Sequence, residues 1–185
     1  MTGFEALFGF YGLLLGLAIT TVTSSFADTW RRRGNWKIGI APPLLGLFIL
    51  LATAQQWSSM WRARDVLTLG PWEILRCMGM ALPYIFVSHA MFPADLANGG
   101  SLEDHYMQQR PVVLGALLMP PLVSLAANLP FIPPEAALGD VVAFALGNYG
   151  PPVAVTVALL LWKNRLAHGI GMALLCTWML VGLFA

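Results

Sequence analysis

Windows of about twenty residues without a charge recur along this chain, and they constrain it more than any other feature. An α-helix rises about 1.5 Å per residue, so roughly 20 apolar residues cross a hydrocarbon core of about 30 Å. Six such spans are legible, at about 6–27, 38–59, 71–94, 111–131, 141–162 and 167–185. The third is the least sharply bounded, because Glu73 and Arg76 fall in its first turns. The sequence therefore predicts an all-α fold: an integral membrane bundle of six transmembrane helices forming a single domain over residues 1–185. No hydrophilic stretch is long enough to fold separately, the longest connection being roughly Pro93 to Arg110.

Composition excludes the main alternatives. The chain is 58% apolar and 10% charged, with a mean hydropathy of +0.71, whereas soluble domains carry about 25% charged residues. Ten basic and nine acidic side chains cannot coat a soluble fold of 185 residues. An ordinary cytosolic enzyme and a disordered tail are excluded, and a net charge of +1 excludes a basic nucleic-acid binder. The expected partner is the lipid bilayer, with further membrane subunits or copies of the same chain open and no nucleic acid. Met1-Thr2-Gly3-Phe4-Glu5 lacks the positive start of a secretory signal, so the first window is expected to stay as a span. Cys77 and Cys176 lie inside apolar stretches and read as small buried hydrophobes rather than a disulfide framework.

Orientation follows from the basic residues. Arg31, Arg32, Arg33, Lys37, Arg110, Lys163 and Arg165 fall on the odd-numbered connections, against Arg62 and Arg64 on the even ones. The odd connections should face the cytoplasm and both termini the outside of a plasma (inner) membrane. Trp30, Trp36, Trp57, Trp61, Trp72 and Trp162 fall near the proposed span ends, where an interfacial belt would place them.

Three spans precede the central connection and three follow it. Pro42-Pro43 opens the second span and Pro151-Pro152 lies in the first half of the fifth, its counterpart. Halves with an odd number of spans insert in opposite senses, so a 3+3 inverted repeat of the kind used by secondary transporters is one reading. Against it, the halves align poorly elsewhere, and proline at a helix start needs no such explanation. Ser101 and Asp104 have capping-box spacing, so a short helix should start there and lead into the fourth span.

Several polar or broken places fall inside the spans. Pro120-Pro121, near the middle of the fourth, removes two backbone donors and frees carbonyls that lipid cannot satisfy. The alternatives are a packing kink and a site for a cation or small polar solute. Gly147-Asn148-Tyr149-Gly150-Pro151-Pro152 reads as a turn, hence a late helix start or a re-entrant segment. Glu73 and Arg76 share one helix face and can neutralise each other, as intramembrane charges usually must. They form either an interfacial pair or, with Pro120, Asn128, Asn148 and Tyr149, an outward vestibule that binds a solute.

His89, His105 and His168 lie towards the cytoplasmic side, near Asp95, Glu103 and Asp104. Such residues can ligate a metal, and two histidines on separate helices can hold a haem. No His-x-x-x-His, Glu-x-x-His or Cys-x-x-Cys spacing specifies either, and the alternative is ordinary interfacial hydrogen bonding. Asp104-His105-Tyr106-Met107-Gln108-Gln109-Arg110 resembles a segment of small polytopic inner-membrane proteins of proteobacteria, in which Asp-His-Tyr and a basic residue open a middle span. The resemblance implies a bacterial inner membrane and assigns no activity. Read physically, Tyr106 and Arg110 can share one helix face, and Glu103 and Asp104 suit a helix N-terminus.

No phosphate loop, nucleophile elbow or paired intramembrane carboxylates occur, so the sequence gives no catalytic residue. Gly12-x-x-x-Gly16, Gly169 and Gly171 offer places for close helix approach. Three functions remain: a transporter or channel for a small solute or ion, a non-catalytic membrane subunit of a larger complex, and a haem- or metal-binding redox protein.

Overall fold

The structure is a computed structural model that describes residues 2–32, 34, 36–67, 69–92, 100–129, 133 and 135–184. It is all-α. The helices are α1 (Gly3–Arg31), α2 (Ala41–Arg62), α3 (Pro71–Met91), α4 (Leu102–Leu117), α5 (Met119–Asn128), α6 (Leu138–Leu161) and α7 (Arg165–Phe184). Among the described residues five stretches are long and apolar enough to cross a membrane: α1, α3, α4 with α5, α6 and α7. This is the pattern of a multi-pass membrane protein. Large apolar side chains such as Leu13, Leu138, Leu161, Val181 and Phe184 are exposed around the outside, where lipid rather than water makes them stable.

The 22-residue α2 is not among those five. Gln55, Gln56, Ser58 and Ser59 dilute its apolar content, yet it is the central helix, packed on α7, α1, α3 and α4. Leu45 and Ile49 of α2 meet Tyr84 of α3, Leu114 of α4 and Met172 and Leu175 of α7 in one buried core. A second core joins Leu7, Tyr11 and Leu15 of α1 to Met60 of α2 and Cys77 and Ala81 of α3. Phe8 sits between Trp57 and Trp61, with ring centres 5.0 and 5.5 Å away, and pins α1 to α2 near their ends.

Element boundaries follow local chemistry. Thr2 and Glu5 form a reciprocal capping box at α1. At 29 residues α1 is longer than its apolar window at both ends. Its hydroxyls stay inside lipid by bonding their own helix: Thr20, Thr21 and Thr23 each reach a carbonyl four residues back at 2.8 Å. The start of α2 falls at Ala41 rather than 38, because residues 37–40 are otherwise engaged. Lys37 pairs with Ser101 in a parallel bridge, and Gly39 has a φ of +78°. α3 ends at Met91; Pro93, Ala94 and Asp95 lie outside the described residues.

Two expectations are corrected. The fourth span begins at Leu102 as one continuous helix through Pro111, with the Ser101 hydroxyl accepting the Asp104 N–H at 3.2 Å. It is this helix that breaks at Leu118, so that Pro120 and Pro121 stand in the first turn of α5. The segment from Gly147 to Pro152 is not a turn: α6 runs unbroken from Leu138 to Leu161 with Pro151 and Pro152 inside it. Trp36, just before α2, is buried, with the Arg32 guanidinium 5.2 Å over its ring. The two halves also pack differently. α1 lies along α3, whereas among the described residues α4 meets α7 only near its start, through Asp104–Arg165 and Tyr106–His168, so the packing lends an inverted repeat no support.

Candidate functional site

Helix direction alternates along the chain, which gathers the start of α1, the end of α2, the start of α3, the end of α5 and the first half of α6 at one end of the bundle. Between them lies a cavity of about 360 Å³. Its wall includes Tyr11, Gln55, Gln56, Ser59, Arg76, Tyr84, Ser124, Asn128, Asn148, Tyr149 and Thr156, with Pro120, Pro121 and Pro152 beside them. These polar groups alternate with apolar ones, among them Phe48, Met80, Leu117 and Trp178. Ser59 and Asn148 are exposed at its rim.

The proline pairs explain part of the shape. Pro120 and Pro121 cannot donate to the carbonyls of Ala116 and Leu117, so the helical ladder stops there and resumes in α5. In α6, Pro151 and Pro152 likewise release the carbonyls of Gly147 and Asn148 within a continuous helix. Asn128 and Tyr149 bind the two helices together. One Asn128 N–H donates to the Tyr149 hydroxyl at 2.8 Å and another to the Ser124 carbonyl at 2.8 Å. The Tyr149 and Ser124 hydroxyls are 3.2 Å apart. Asn148 donates to the Phe144 carbonyl at 2.9 Å, which leaves its amide oxygen without a bond inside that turn. Across the cavity the Tyr11 hydroxyl donates to Gln56 Oε1 at 3.3 Å.

Five residues singled out in the sequence, Arg76, Pro120, Asn128, Asn148 and Tyr149, thus surround one space. Glu73 reaches it through Arg76: its Oε2 is 2.9 Å from Arg76 Nη2, with the side chains 18% and 15% exposed. The contact is an ion pair by distance rather than an aligned hydrogen bond, since Glu73 Oε2 and Arg76 Nε are both buried with no hydrogen-bond partner. Gln55, Gln56, Tyr11 and Thr156 were not singled out. Gln55 and Gln56 carried a readable signal, being the only glutamines within the six apolar windows.

Two of the three histidines are held by hydrogen bonds within the bundle. His168 is fully buried. Its Nε2 is 2.9 Å from the Trp162 carbonyl, which can only accept, so Nε2 carries the proton. Nδ1, 2.7 Å from the Tyr106 hydroxyl, accepts from it in the neutral ring. Both nitrogens are therefore engaged. His105 Nε2 lies 3.0 Å from the Ala90 carbonyl, and His89 is exposed. Among the described residues no group of three or more His, Cys, Asp or Glu is placed to hold a metal.

The Asp104-His105-Tyr106 segment is a structural junction at the end opposite the cavity. Glu103 is buried and its Oε2 accepts from the Ile40 N–H at 2.8 Å and the Ala41 N–H at 3.2 Å, capping α2 from another helix. Asp104 pairs with Arg165 of α7, His105 with the end of α3, and Tyr106 with His168 of α7. The adjoining bridge adds Lys37 N–H to the Gly100 carbonyl at 3.1 Å and Leu102 N–H to the Lys37 carbonyl at 2.9 Å. Four consecutive side chains reach three helices.

No protein family, curated protein or solved structure matches this chain. The functional reading therefore rests on the residues themselves.

Proposed function

We propose that the chain is a six-span protein of a bacterial inner membrane, with both termini outside, that binds a small polar solute in this cavity and lets it cross. One observation carries the reading: polar side chains converge on a cavity of about 360 Å³ inside a bundle whose exterior is apolar. Polar groups within a membrane are costly unless they meet each other, water or a ligand. A cavity of this volume is within the range of small-molecule sites, about 300–1,000 Å³. The central position of α2, with its glutamines facing the cavity, supports reading it as a sixth crossing. In the orientation set by the basic residues the cavity opens outward.

Reconstitution into vesicles tests this. Stopped-flow light scattering under inward gradients of glycerol, urea and sodium lactate should show protein-dependent entry of at least one solute. Asn128→Ala and Asn148→Ala should reduce that entry severalfold. Entry equal to that of protein-free vesicles, or full entry in both variants, would refute the proposal.

A second reading, a non-catalytic subunit of a larger complex, is favoured by α6. Of its 24 residues only Thr156 and Leu159 are buried. Mild extraction from native membranes distinguishes the two: a partner held in fixed stoichiometry supports a subunit.

A further inference from the structure

We propose that the solute of this cavity is a small carboxylate, received by the Arg76 guanidinium. The inference rests on the reading of the cavity as a solute site and adds its chemical class.

Arg76 is the charged side chain of the wall, and no acidic side chain lines it among the described residues. A cation would meet a guanidinium there, with its one acidic partner, Glu73, standing outside the wall. A carboxylate would meet its natural partner, because arginine presents up to five N–H donors in a planar fork that matches two carboxylate oxygens. Within the protein the acidic partner of that fork is Glu73. Glu73 approaches Nη2 from one turn away on the same helix, and Nε is buried without an acceptor. A buried N–H left unmade is costly, and more so on a charged group. Nε itself is shut off from the cavity, so a carboxylate would be received at the other N–H groups of the guanidinium.

Glu73 accounts for how such a group is tolerated. An ion pair on one helix face lowers the cost of inserting arginine among apolar helices. It does so without contributing to the wall, so the cavity itself keeps a cationic donor. The remainder of a small organic acid would meet the amides of Gln55, Gln56 and Asn128 and the Tyr11 hydroxyl, which offer both donors and acceptors. A neutral solute such as glycerol would satisfy those groups and leave the guanidinium edge as it is.

Binding can be read without transport. The purified full chain in detergent is unfolded thermally, followed by tryptophan fluorescence, with sodium acetate, lactate or succinate, with choline chloride, and with glycerol, at matched ionic strength. At least one carboxylate should raise the midpoint saturably, while choline and glycerol should not. Arg76→Lys keeps the charge but loses the fork, and should weaken the response by at least about tenfold, the equivalent of one lost hydrogen bond to a charged group. Arg76→Gln should abolish it. The proposal is overturned if no carboxylate acts on the wild type, if the response survives Arg76→Gln, or if choline or glycerol acts as strongly. Should Arg76→Gln fail to fold, Arg76→Lys and the wild-type comparison decide. Saturable carboxylate binding without vesicle entry would uphold this inference and overturn transport; glycerol entry without carboxylate binding would do the reverse.

Discussion

Replacing Glu103 should destabilise the fold through a helix that Glu103 does not belong to. Its Oε2 accepts two backbone donors at the start of α2, Ile40 N–H at 2.8 Å and Ala41 N–H at 3.2 Å, with 7% of the residue exposed. Hydrogen bonds to a charged group contribute about 1.5–3 kcal/mol net. A carboxylate at a helix N-terminus adds roughly 0.3–1 kcal/mol. The two bonds share one oxygen, and burying the carboxylate offsets part of the gain. Glu103→Ala should therefore cost about 2–4 kcal/mol, and Glu103→Gln about half of that, since the amide still accepts but lacks the charge. Gly39 supplies an independent check. Its φ is +78°, and a Cβ there would fall on the Glu103 carboxylate, with Glu103 Cβ only 2.7 Å away. The backbone conformation alone should make Gly39→Ala cost about 1–2 kcal/mol, with the displaced carboxylate adding to it. Glu103→Ala removes the carboxylate from that clash but keeps the Cβ, and both single variants lose the same cap, so Gly39→Ala/Glu103→Ala should be more stable than the sum of the single variants by about 1 kcal/mol. Equilibrium unfolding in mixed micelles, followed by tryptophan fluorescence, measures all three. The reasoning fails if Glu103→Ala unfolds within about 0.5 kcal/mol of the wild type, the range of an ordinary surface change, or if the two substitutions simply add.

Other contacts give sharper local outcomes. Tyr106→Phe leaves His168 Nδ1 without its 2.7 Å partner at a fully buried site, and should cost about 1–3 kcal/mol in the same unfolding assay. A Cβ at Gly171 would lie 2.7 Å from Leu159 Cδ2, so Gly171→Ala should displace α6 from α7 and cost roughly 1–3 kcal/mol. Gly16→Ala is the contrast: nothing lies within 4 Å of its Cβ, and helix propensity should raise stability by about 0.5–1 kcal/mol. Restoring two N–H groups with Pro120→Ala/Pro121→Ala should join α4 to α5 into one helix, seen as slowed amide exchange at Leu118 and Met119; exchange unchanged there would count against the break being caused by the prolines.

Apolar length was legible because lipid thickness fixes it, and α1, α3, α6 and α7 fall within a few residues of their windows. Boundaries set from far along the chain were not. Nothing near Ile40 shows that its N–H will be capped from position 103, or that Lys37 will pair with Ser101. The turn reading of Gly147–Pro152 failed because local turn chemistry was weighed without the membrane: in lipid an unwound backbone has nowhere to place its polar groups, and the helix is retained at the cost of two ladder bonds. Gly12 and Gly16 have the spacing of a helix-packing motif, yet a Cβ at Gly16 meets nothing and one at Gly12 only the Trp57 ring nitrogen at 3.7 Å. Gly171, less conspicuous in sequence, is where two helices come close. The polar residues of the cavity were legible one by one, as misfits in apolar windows, while their convergence depends on helix order in three dimensions.

The distribution of polar contacts divides the molecule into two unlike ends. Lipid tails are as apolar as leucine, so apolar burial gives little reason for helices to associate within a membrane; close packing and hydrogen bonds give most of it. At the junction end those bonds link residues about sixty positions apart: Glu103 to Ile40, Asp104 to Arg165, Tyr106 to His168. Around the cavity the bonds are of two kinds: Tyr11 to Gln56 and Asn128 to Tyr149 cross between helices, while Asn148 to Phe144 and Thr156 to Pro152 return to their own helix. One end is therefore tied to three helices through a single segment, and the other keeps donors and acceptors, among them the exposed Asn148 amide, beside an open cavity. It follows that substitutions should separate by position. Glu103 and Tyr106 variants should lower unfolding free energy while leaving the response of the folded protein to carboxylates intact. Arg76→Lys should change that response with little effect on unfolding. If the junction variants abolished the response while still folded, the two ends would be one coupled unit and this division would be wrong.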